Sequence, residues 1–570
     1  MNLKTPAEWI NHARQLEASG NVASASAALE EAREAHPGNA TLANSAGNLA
    51  MKVGDFVRAE RHFASARANE PGNIEFAMNQ AIALQRLQRS REALGILREI
   101  ETKAASLPKY GSVRGSCARE VGEPAEAAKW YDVAIAGNPQ YKLALHGRAR
   151  VAIERGEADA LARFDRALQI APGDADLWLG KAQALEVAGD VEGARVVAQQ
   201  ICEQAPGYTE ALKFHSGLLL AAGEEDFTAP FRKAAAKAPQ DPNIPAIHAD
   251  TLAGLDHTSE AADVAAEARK RFANEPYFAL LEAVHSGAAG EWARAEAIWG
   301  SLALDTPVRA VHEARHRIRS KELERADALL DSALAANPWD ISTWALRGIV
   351  WRLSEDERAQ WLHEQAGLVQ LRPLVARDGL VEDAVAQLRE LHAGSAQPLG
   401  QSLRGGTQTR GILFHRTEPL LAELHEAILA TLEEYRSDLP AEDSGHPLLR
   451  HRETPWSLAG SWSVRLTGGG GGEGDYHTSH IHPQGIISSA LYLVVPEAAH
   501  GEGELGWLEV GRPPPDLGLD LPPLRSIEPV EGRLALFPST LYHGTTRFGG
   551  AEGAEAERMT VAFDVVTSNG

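Results

Sequence analysis

The stretch "GDYHTSHIHPQGIISSALYLVVP", Gly474 to Pro496, decides the interpretation of the C-terminal third of this chain. It places His480 and His482 one residue apart, directly before an apolar run that predicts a β-strand. Side chains at positions i and i+2 of a strand lie on the same face, so the two imidazoles can converge on one point. His477 has the opposite parity and is expected to face away. This spacing favours half of a metal site.

A third ligand and an anion-binding group are expected further along the chain. "GRLALFPSTLYHG", Gly532 to Gly544, predicts a strand followed by a turn that contains His543. In "RMTVAFDVV" strand alternation places Arg558, Thr560 and Ala562 on one face. The sequence contains no lysine after Lys321 and no cysteine after Cys202, which excludes Schiff-base and thiol chemistry here. Histidine, carboxylate and arginine remain as the reactive groups.

Short strands with turn residues between them predict a β-sandwich or barrel in this region. The strand-like runs are "SWSVRLT", "IISSALYLVV", "GWLEV", "RLALFP" and "MTVAFDVV". One amphipathic helix, "EPLLAELHEAILATLEEYR", precedes them.

These motifs together resemble the double-stranded β-helix (jelly-roll) oxygenases that use iron(II), 2-oxoglutarate and O2, and in particular an oxygenase family with an H-x-H-P motif that is often fused to tetratricopeptide repeats. The resemblance covers about residues 397–570. It implies that His480, His482 and His543 bind Fe(II), and that Arg558 pairs with the distal carboxylate of 2-oxoglutarate, assisted by Thr560. It also implies that Tyr476 and Tyr492 flank this cosubstrate, and that the reaction is a hydroxylation.

The usual metal triad of such enzymes contains two histidines and one carboxylate, whereas His482 occupies the carboxylate position here. Three interpretations follow: a three-histidine site, substitution by an acid such as Asp475, or a supporting role for His482. Two alternative functions also stay open: a non-catalytic repeat adaptor with a degenerate metal- or ligand-sensing barrel, and a three-histidine metal dioxygenase that acts on a small molecule without 2-oxoglutarate. The polar segment "QSLRGGTQTRG", Gln401 to Gly411, is a candidate lining of the substrate entrance.

The N-terminal part of the chain has an internal repeat, marked by prolines that recur every 31 to 37 residues. These are Pro37, Pro71, Pro108, Pro139, Pro172, Pro206, Pro239, Pro276, Pro307 and Pro338. Glycines such as Gly20, Gly54 and Gly122 precede them by 17 residues. We interpret the glycines as the end of one helix and the prolines as the end of the next. A period near 34 resembles the tetratricopeptide repeat, which implies a helical superhelix that binds a protein or peptide.

The predicted fold class is therefore multidomain α + β: a repeat solenoid of about ten units over residues 1–340, a helical cap or linker over 341–396, and a β-helix oxygenase-like domain over 397–570. The net charge of −22 disfavours a nucleic-acid partner. Two cysteines, no signal-like N-terminus and no long apolar run predict a cytoplasmic protein without membrane contact.

Overall fold

A computed structural model describes residues 5–395, 398–399, 401–468, 474–501, 503–548 and 556–567. The predicted boundary between the cap and the last domain, at residues 396 and 397, lies outside these ranges, and the three domain limits stay a prediction. The chain forms two compact units, Met1–Lys181 and Ala182–Gly570. No helix among the described residues has the length and apolar character needed to span a membrane.

The first unit and the beginning of the second consist of consecutive helices. Their bounds are α1 Pro6–Ala18, α2 Val22–Ala35, α3 Ala40–Lys52, α4 Phe56–Asn69, α5 Ile74–Arg86, α6 Ser90–Ala104, α7 Pro108–Glu120, α8 Pro124–Gly137, α9 Lys142–Glu154, α10 Ala160–Ile170, α11 Ala175–Val187, α12 Val191–Gln204, α13 Thr209–Ala221, α14 Ala229–Lys237, α15 Asn243–Ala253, α16 Thr258–Arg271, α17 Pro276–Ala288, α18 Trp292–Trp299, α19 Pro307–Arg319, α20 Leu323–Ala336, α21 Ile341–Leu353 and α22 Arg358–His363. This succession confirms the predicted all-helical repeat array.

The predicted roles of glycine and proline in these helices are only partly confirmed. Gly20, Gly54 and Gly122 follow helices with φ angles of 81°, 78° and 79°, the left-handed conformation that glycine adopts without strain. Most of the repeating prolines follow a helix. Three of them, Pro108, Pro276 and Pro307, instead open one. Proline is tolerated there because the first amide of a helix has no intrahelical acceptor to lose.

The rest of the second unit is rich in β-structure. Its helices are α23 Leu380–Ala393 and α24 Pro419–Ser437, and its strands are β1 Gln370–Pro373, β2 Leu403–Arg404, β3 Thr407–Gln408, β4 Trp456–Leu466, β5 Tyr476–His477, β6 Ile487–Val494, β7 Leu508–Val510, β8 Arg525–Ile527, β9 Arg533–Pro538, β10 His543–Thr545 and β11 Arg558–Thr567. Short 3-10 helices lie at Leu413–His415, Leu449–His451, Glu497–His500 and Pro515–Leu517. Each predicted strand-like run contains a strand, and the predicted amphipathic helix is α24.

Six strands form the main sheet in the order β1-β9-β6-β11-β4-β3, and smaller sheets have the orders β10-β7-β8 and β2-β5. All of the strand pairings are antiparallel, which agrees with the predicted sandwich. Strand β1 comes from the segment predicted as a helical cap. One face of the main sheet packs against α23 and α24 through residues such as Leu388, Ile428 and Phe563. Strand β11 lies between β4 and β6, so its other face is available to carry a site.

Candidate metal and anion site

Three imidazoles converge beside the main sheet. The backbone N–H of His480 donates to the carbonyl of His543, and the N–H of His543 donates to the carbonyl of His480, both at 2.9 Å. His482 follows two residues later, and one nitrogen of each of the three rings lies within 4.8 Å of the other two. The structure therefore brings together all three predicted metal ligands.

The route by which His480 and His482 converge differs from the predicted one. Strand β6 begins at Ile487, and both histidines precede it in a loop that has only the single bridge to His543. His480 and His482 therefore converge because the loop curves next to this bridge, and not because they alternate along a strand. His477 also contradicts the prediction: it lines the same cavity, with its ring centroid 5.9 Å from that of His480.

Hydrogen bonds fix the same tautomer in all three rings, because each Nδ1 atom faces an oxygen that can only accept. The pairs are His480 Nδ1 with the Thr478 carbonyl at 2.8 Å, His543 Nδ1 with the Leu541 carbonyl at 3.2 Å, and His482 Nδ1 with the Asp564 carboxylate. Nδ1 must therefore carry the proton in each ring. The three Nε2 atoms keep their lone pairs free for a ligand.

Two of these lone pairs face each other, since His480 Nε2 lies 3.0 Å from His482 Nε2. With both Nδ1 atoms protonated, no proton remains to join the two neutral rings. Burial lowers the pKa of His480 to about 3 and holds that of His543 well below its usual range, so these two rings are neutral at neutral pH. Three neutral imidazole donors fit a divalent transition metal.

A cavity of about 430 Å³ opens beside these rings. Strand β11 contributes four alternate side chains to its lining: Arg558, Thr560, Ala562 and Asp564. Strand β4 contributes Trp462 and Val464, and the segment Gln401–Gly411, which contains β2 and β3, contributes Gln401, Ser402 and Gln408. The cavity thus joins the imidazole cluster to a polar wall that ends at Arg558.

Arg558 carries a buried charge without a counter-ion. Its side chain is 2% exposed, and it makes no ion pair with another residue in the described part of the chain. Its Nε–H finds no hydrogen-bond acceptor there, and the guanidinium carbon lies 5.5 Å from the centroid of the Tyr492 ring. Burial lowers the pKa of Arg558. Because an unpaired buried cation is costly, this arrangement indicates that an anion binds in the cavity.

The two predicted tyrosines occupy different surroundings. Tyr492 is fully buried behind Arg558, and burial raises its pKa to about 12. Tyr476 is not among the cavity-lining residues; instead Arg547 donates to its hydroxyl at 3.3 Å. Tyr492 therefore supports the arginine, and the structure does not bring Tyr476 to the cavity.

Asp475, the acid considered as a substitute ligand, also lies outside the cavity lining. It is 1% exposed, and its Oδ2 accepts from the backbone N–H groups of Thr467 and Gly468 at 2.9 and 3.1 Å. The carboxylate that does reach the imidazoles is Asp564, which the sequence analysis did not single out. The signal was present, since alternation from Arg558 and Thr560 continues to Asp564 on the same face.

Comparisons with known proteins find separate families for the helical repeats and for the β-rich part of the chain. Tetratricopeptide-repeat family models match residues 10–73, 44–108 and 157–218, and a family described as "Putative 2OG-Fe(II) oxygenase" matches residues 460–564. The family models thus find tetratricopeptide repeats in the helical part of the chain and a "Putative 2OG-Fe(II) oxygenase" domain in its β-rich part.

Similarity to individual proteins is more distant. Protein FlbA of Caulobacter vibrioides is 27% identical over 165 residues, which are 29% of this chain and 28% of FlbA; the matched part is thus little more than a quarter of that protein. A tetratricopeptide repeat protein from Parabacteroides merdae is 20% identical, with 43% of this chain and 97% of that one covered and a TM-score of 0.36. YrrB, described as a TPR protein with an unusual peptide-binding site, is 20% identical, with 30% of this chain and 90% of that one covered and a TM-score of 0.28.

Proposed function

We propose that the chain is an iron(II)- and 2-oxoglutarate-dependent oxygenase, a hydroxylase, whose repeats recruit a protein or peptide substrate. The observation that carries this proposal is the unpaired, buried Arg558 in the same cavity as three converging imidazoles. A metal site alone needs no buried arginine, and an anion site alone needs no convergent Nε2 lone pairs. The match of residues 460–564 to an oxygenase family supports the same conclusion.

Each residue has a role that follows from its surroundings. His480, His482 and His543 hold the metal through Nε2, and their Nδ1 acceptors keep the rings in place. Arg558 pairs with the distal carboxylate of 2-oxoglutarate through its planar, multi-donor group, and Thr560 lies two residues away on the same wall. The bound iron, 2-oxoglutarate and O2 supply the oxidant for a C–H bond, while the protein orients the reactants and excludes water.

A three-histidine dioxygenase without 2-oxoglutarate is the second candidate function. The donor set favours it, because the carboxylate near the cluster, Asp564, contacts Nδ1 of His482 rather than joining the three Nε2 atoms. Such an enzyme has no distal carboxylate to bind, so it offers no reason for the unpaired charge of Arg558. That arginine separates the two functions experimentally.

Anaerobic titration with Fe(II) and then 2-oxoglutarate, followed by the metal-to-ligand charge-transfer absorbance, tests the proposal. Wild-type protein should develop the band. Arg558→Ala should still bind Fe(II) but lose 2-oxoglutarate affinity by about 1.5–3 kcal/mol, the value of a charged hydrogen bond. That loss is roughly 10- to 150-fold in Kd.

Arg512→Ala is the matched control, because Arg512 is an exposed arginine of the same domain that pairs with Glu509 at 2.6 Å. It should behave like wild type. Iron binding without any response to 2-oxoglutarate would support the second candidate, and absence of iron binding would support a non-catalytic adaptor.

A further inference from the structure

A second cavity, of about 720 Å³, adjoins the imidazole cavity and is here called the repeat groove. One wall comes from the helical repeats, through residues such as Phe214 and Leu218 of α13 and Asp250 of α15. The other wall comes from the segment Gln401–Gly411 and from Trp462. Phe214 and Leu218 lie within residues matched by a repeat model, and Trp462 lies within those matched by the oxygenase model, whereas Asp250 and Gln401–Gly411 lie outside these matches.

The repeat groove and the imidazole cavity share three lining residues: Gln401, Gln408 and Trp462. The Trp462 ring centroid lies 5.3 Å from that of His482. Where the groove meets Trp462, a bound chain is therefore separated by one side chain from the predicted metal ligand His482. Gln401 and Gln408 place amide groups, which can both donate and accept, at the passage.

Two arginines attach this segment to the repeats. Arg404 pairs with Asp256 at 2.7 Å and donates to the Gly254 carbonyl at 3.4 Å. Arg410 pairs with the buried carboxylate of Glu186, and its guanidinium carbon lies 6.0 Å from the centroid of the Phe214 ring. Gln408 lies between these attachments, so the wall of the passage is held at both ends.

Among the described residues that line the groove, two acidic side chains form ion pairs and one does not. Glu186 pairs with Arg410, and Glu210 pairs with Lys213 at 2.8 Å. Asp250 is exposed and lines the groove, yet its carboxylate forms no ion pair or side-chain hydrogen bond with another residue in the ranges that the structure describes. A cationic group of a bound molecule would complete the pairing.

We propose that the repeat groove binds an extended peptide segment of the substrate with a lysine or arginine side chain against Asp250, and that another residue of the peptide passes Gln408 and Trp462 to reach the metal. This inference rests on the proposed function for its last step only. It gives the segment Gln401–Gly411 a role in selecting the substrate, and it assigns the specificity to an identified carboxylate of the repeats.

A positional-scanning library of nine-residue peptides, acetylated and amidated at the ends, tests this assignment with the full chain. Bound peptides are eluted and identified by mass spectrometry. Wild type should enrich lysine or arginine at one position by roughly tenfold, the value of one charged hydrogen bond. Asp250→Asn should abolish the enrichment, and Asp250→Lys should replace it by aspartate or glutamate. Glu267→Gln, at an exposed acid of α16 outside the groove lining, should retain the wild-type pattern.

Iron and 2-oxoglutarate binding are measured on the same samples, so that the two proposals fail separately. Asp250-dependent enrichment in a protein that binds neither would uphold the groove and overturn the oxygenase. Normal iron and 2-oxoglutarate binding, with no enrichment of basic residues or with enrichment that persists in Asp250→Asn, would overturn the groove.

Discussion

His482 differs from the other two imidazoles in the partner of its Nδ1 atom. His480 and His543 donate to backbone carbonyls, whereas His482 donates to the carboxylate of Asp564. A carboxylate is the stronger acceptor, and it makes the opposite nitrogen more basic. If His482 holds the metal directly, the three Nε2 donors carry no negative charge. Asp564 then supplies the negative charge through its hydrogen bond to the other ring nitrogen of His482.

Direct ligation by His482 predicts a graded set of metal affinities. His482→Ala should lose stoichiometric iron, because one of three donors is removed. Asp564→Asn, which preserves size but not charge, should weaken iron binding by about 10–100-fold, the usual effect of removing a group that orients a ligand. Titration of the apoprotein with Fe(II) under anaerobic conditions measures both.

Asp475→Asn serves as the comparison variant, because Asp475 is a buried aspartate of the same domain outside the cavity lining. Its iron affinity should stay near that of wild type. Stoichiometric, near-normal iron binding in His482→Ala would remove His482 from the ligand set, and a loss confined to Asp475→Asn would transfer the role to that acid.

Alternation patterns in the sequence correctly predicted which face some of these side chains occupy, and they were wrong for others. Alternation along β11 correctly grouped Arg558, Thr560 and Ala562, and one more step would have reached Asp564. The same rule failed for His477, because strand β5 ends there and the chain enters a loop. Parity holds only while the strand continues, and the end of a strand depends on pairing partners that are distant in sequence.

At the scale of the helix pair, small residues decide how closely two helices approach. A Cβ atom at Gly147 of α9 would lie 2.2 Å from the ring of Tyr131 of α8, and one at Gly47 of α3 would lie 2.5 Å from the ring of Phe63 of α4. These rings are buried. The spacing of glycines and prolines predicted the helix pairs, but it could not distinguish the prolines that open a helix from those that follow one.

Substitution of glycine by alanine should have opposite effects at two helical positions of the first unit. Gly147→Ala should destabilise the unit by about 1–3 kcal/mol, because the Tyr131 ring must move. Gly95→Ala in α6, where a Cβ would meet nothing within 4 Å, should stabilise it by about 1 kcal/mol through helix propensity. Hydrogen exchange of residues 142–154 and 90–104 reports the two changes locally. Faster exchange in both variants would contradict this account of the packing.

At the scale of the whole molecule, the two compact units differ in their buried histidines. In the second unit, burial lowers the pKa of His248, His392 and His446 to about 4 and that of His363 to about 3. Hydrogen bonds suit the neutral rings: His446 Nδ1 accepts from the N–H groups of Leu448 and Leu449, both at 3.1 Å. Protonation of this nitrogen would break both bonds. In the first unit, a lowered histidine pKa is found at His62.

Acid should therefore destabilise the second unit more than the first. Each of these histidines takes up a proton near pH 6.5 when unfolded but not when folded, so the unfolded state binds more protons and stability falls as the pH drops toward the folded pKa. Between pH 7.5 and 6.0 the loss is about 0.8 kcal/mol for each histidine. Thermal unfolding followed by hydrogen exchange, with peptides of residues 5–181 and 182–567 compared at the two pH values, measures it. His446→Gln, which cannot take up a proton, should reduce the pH dependence of the second unit by one such increment, and an equal acid shift in both units would contradict the prediction.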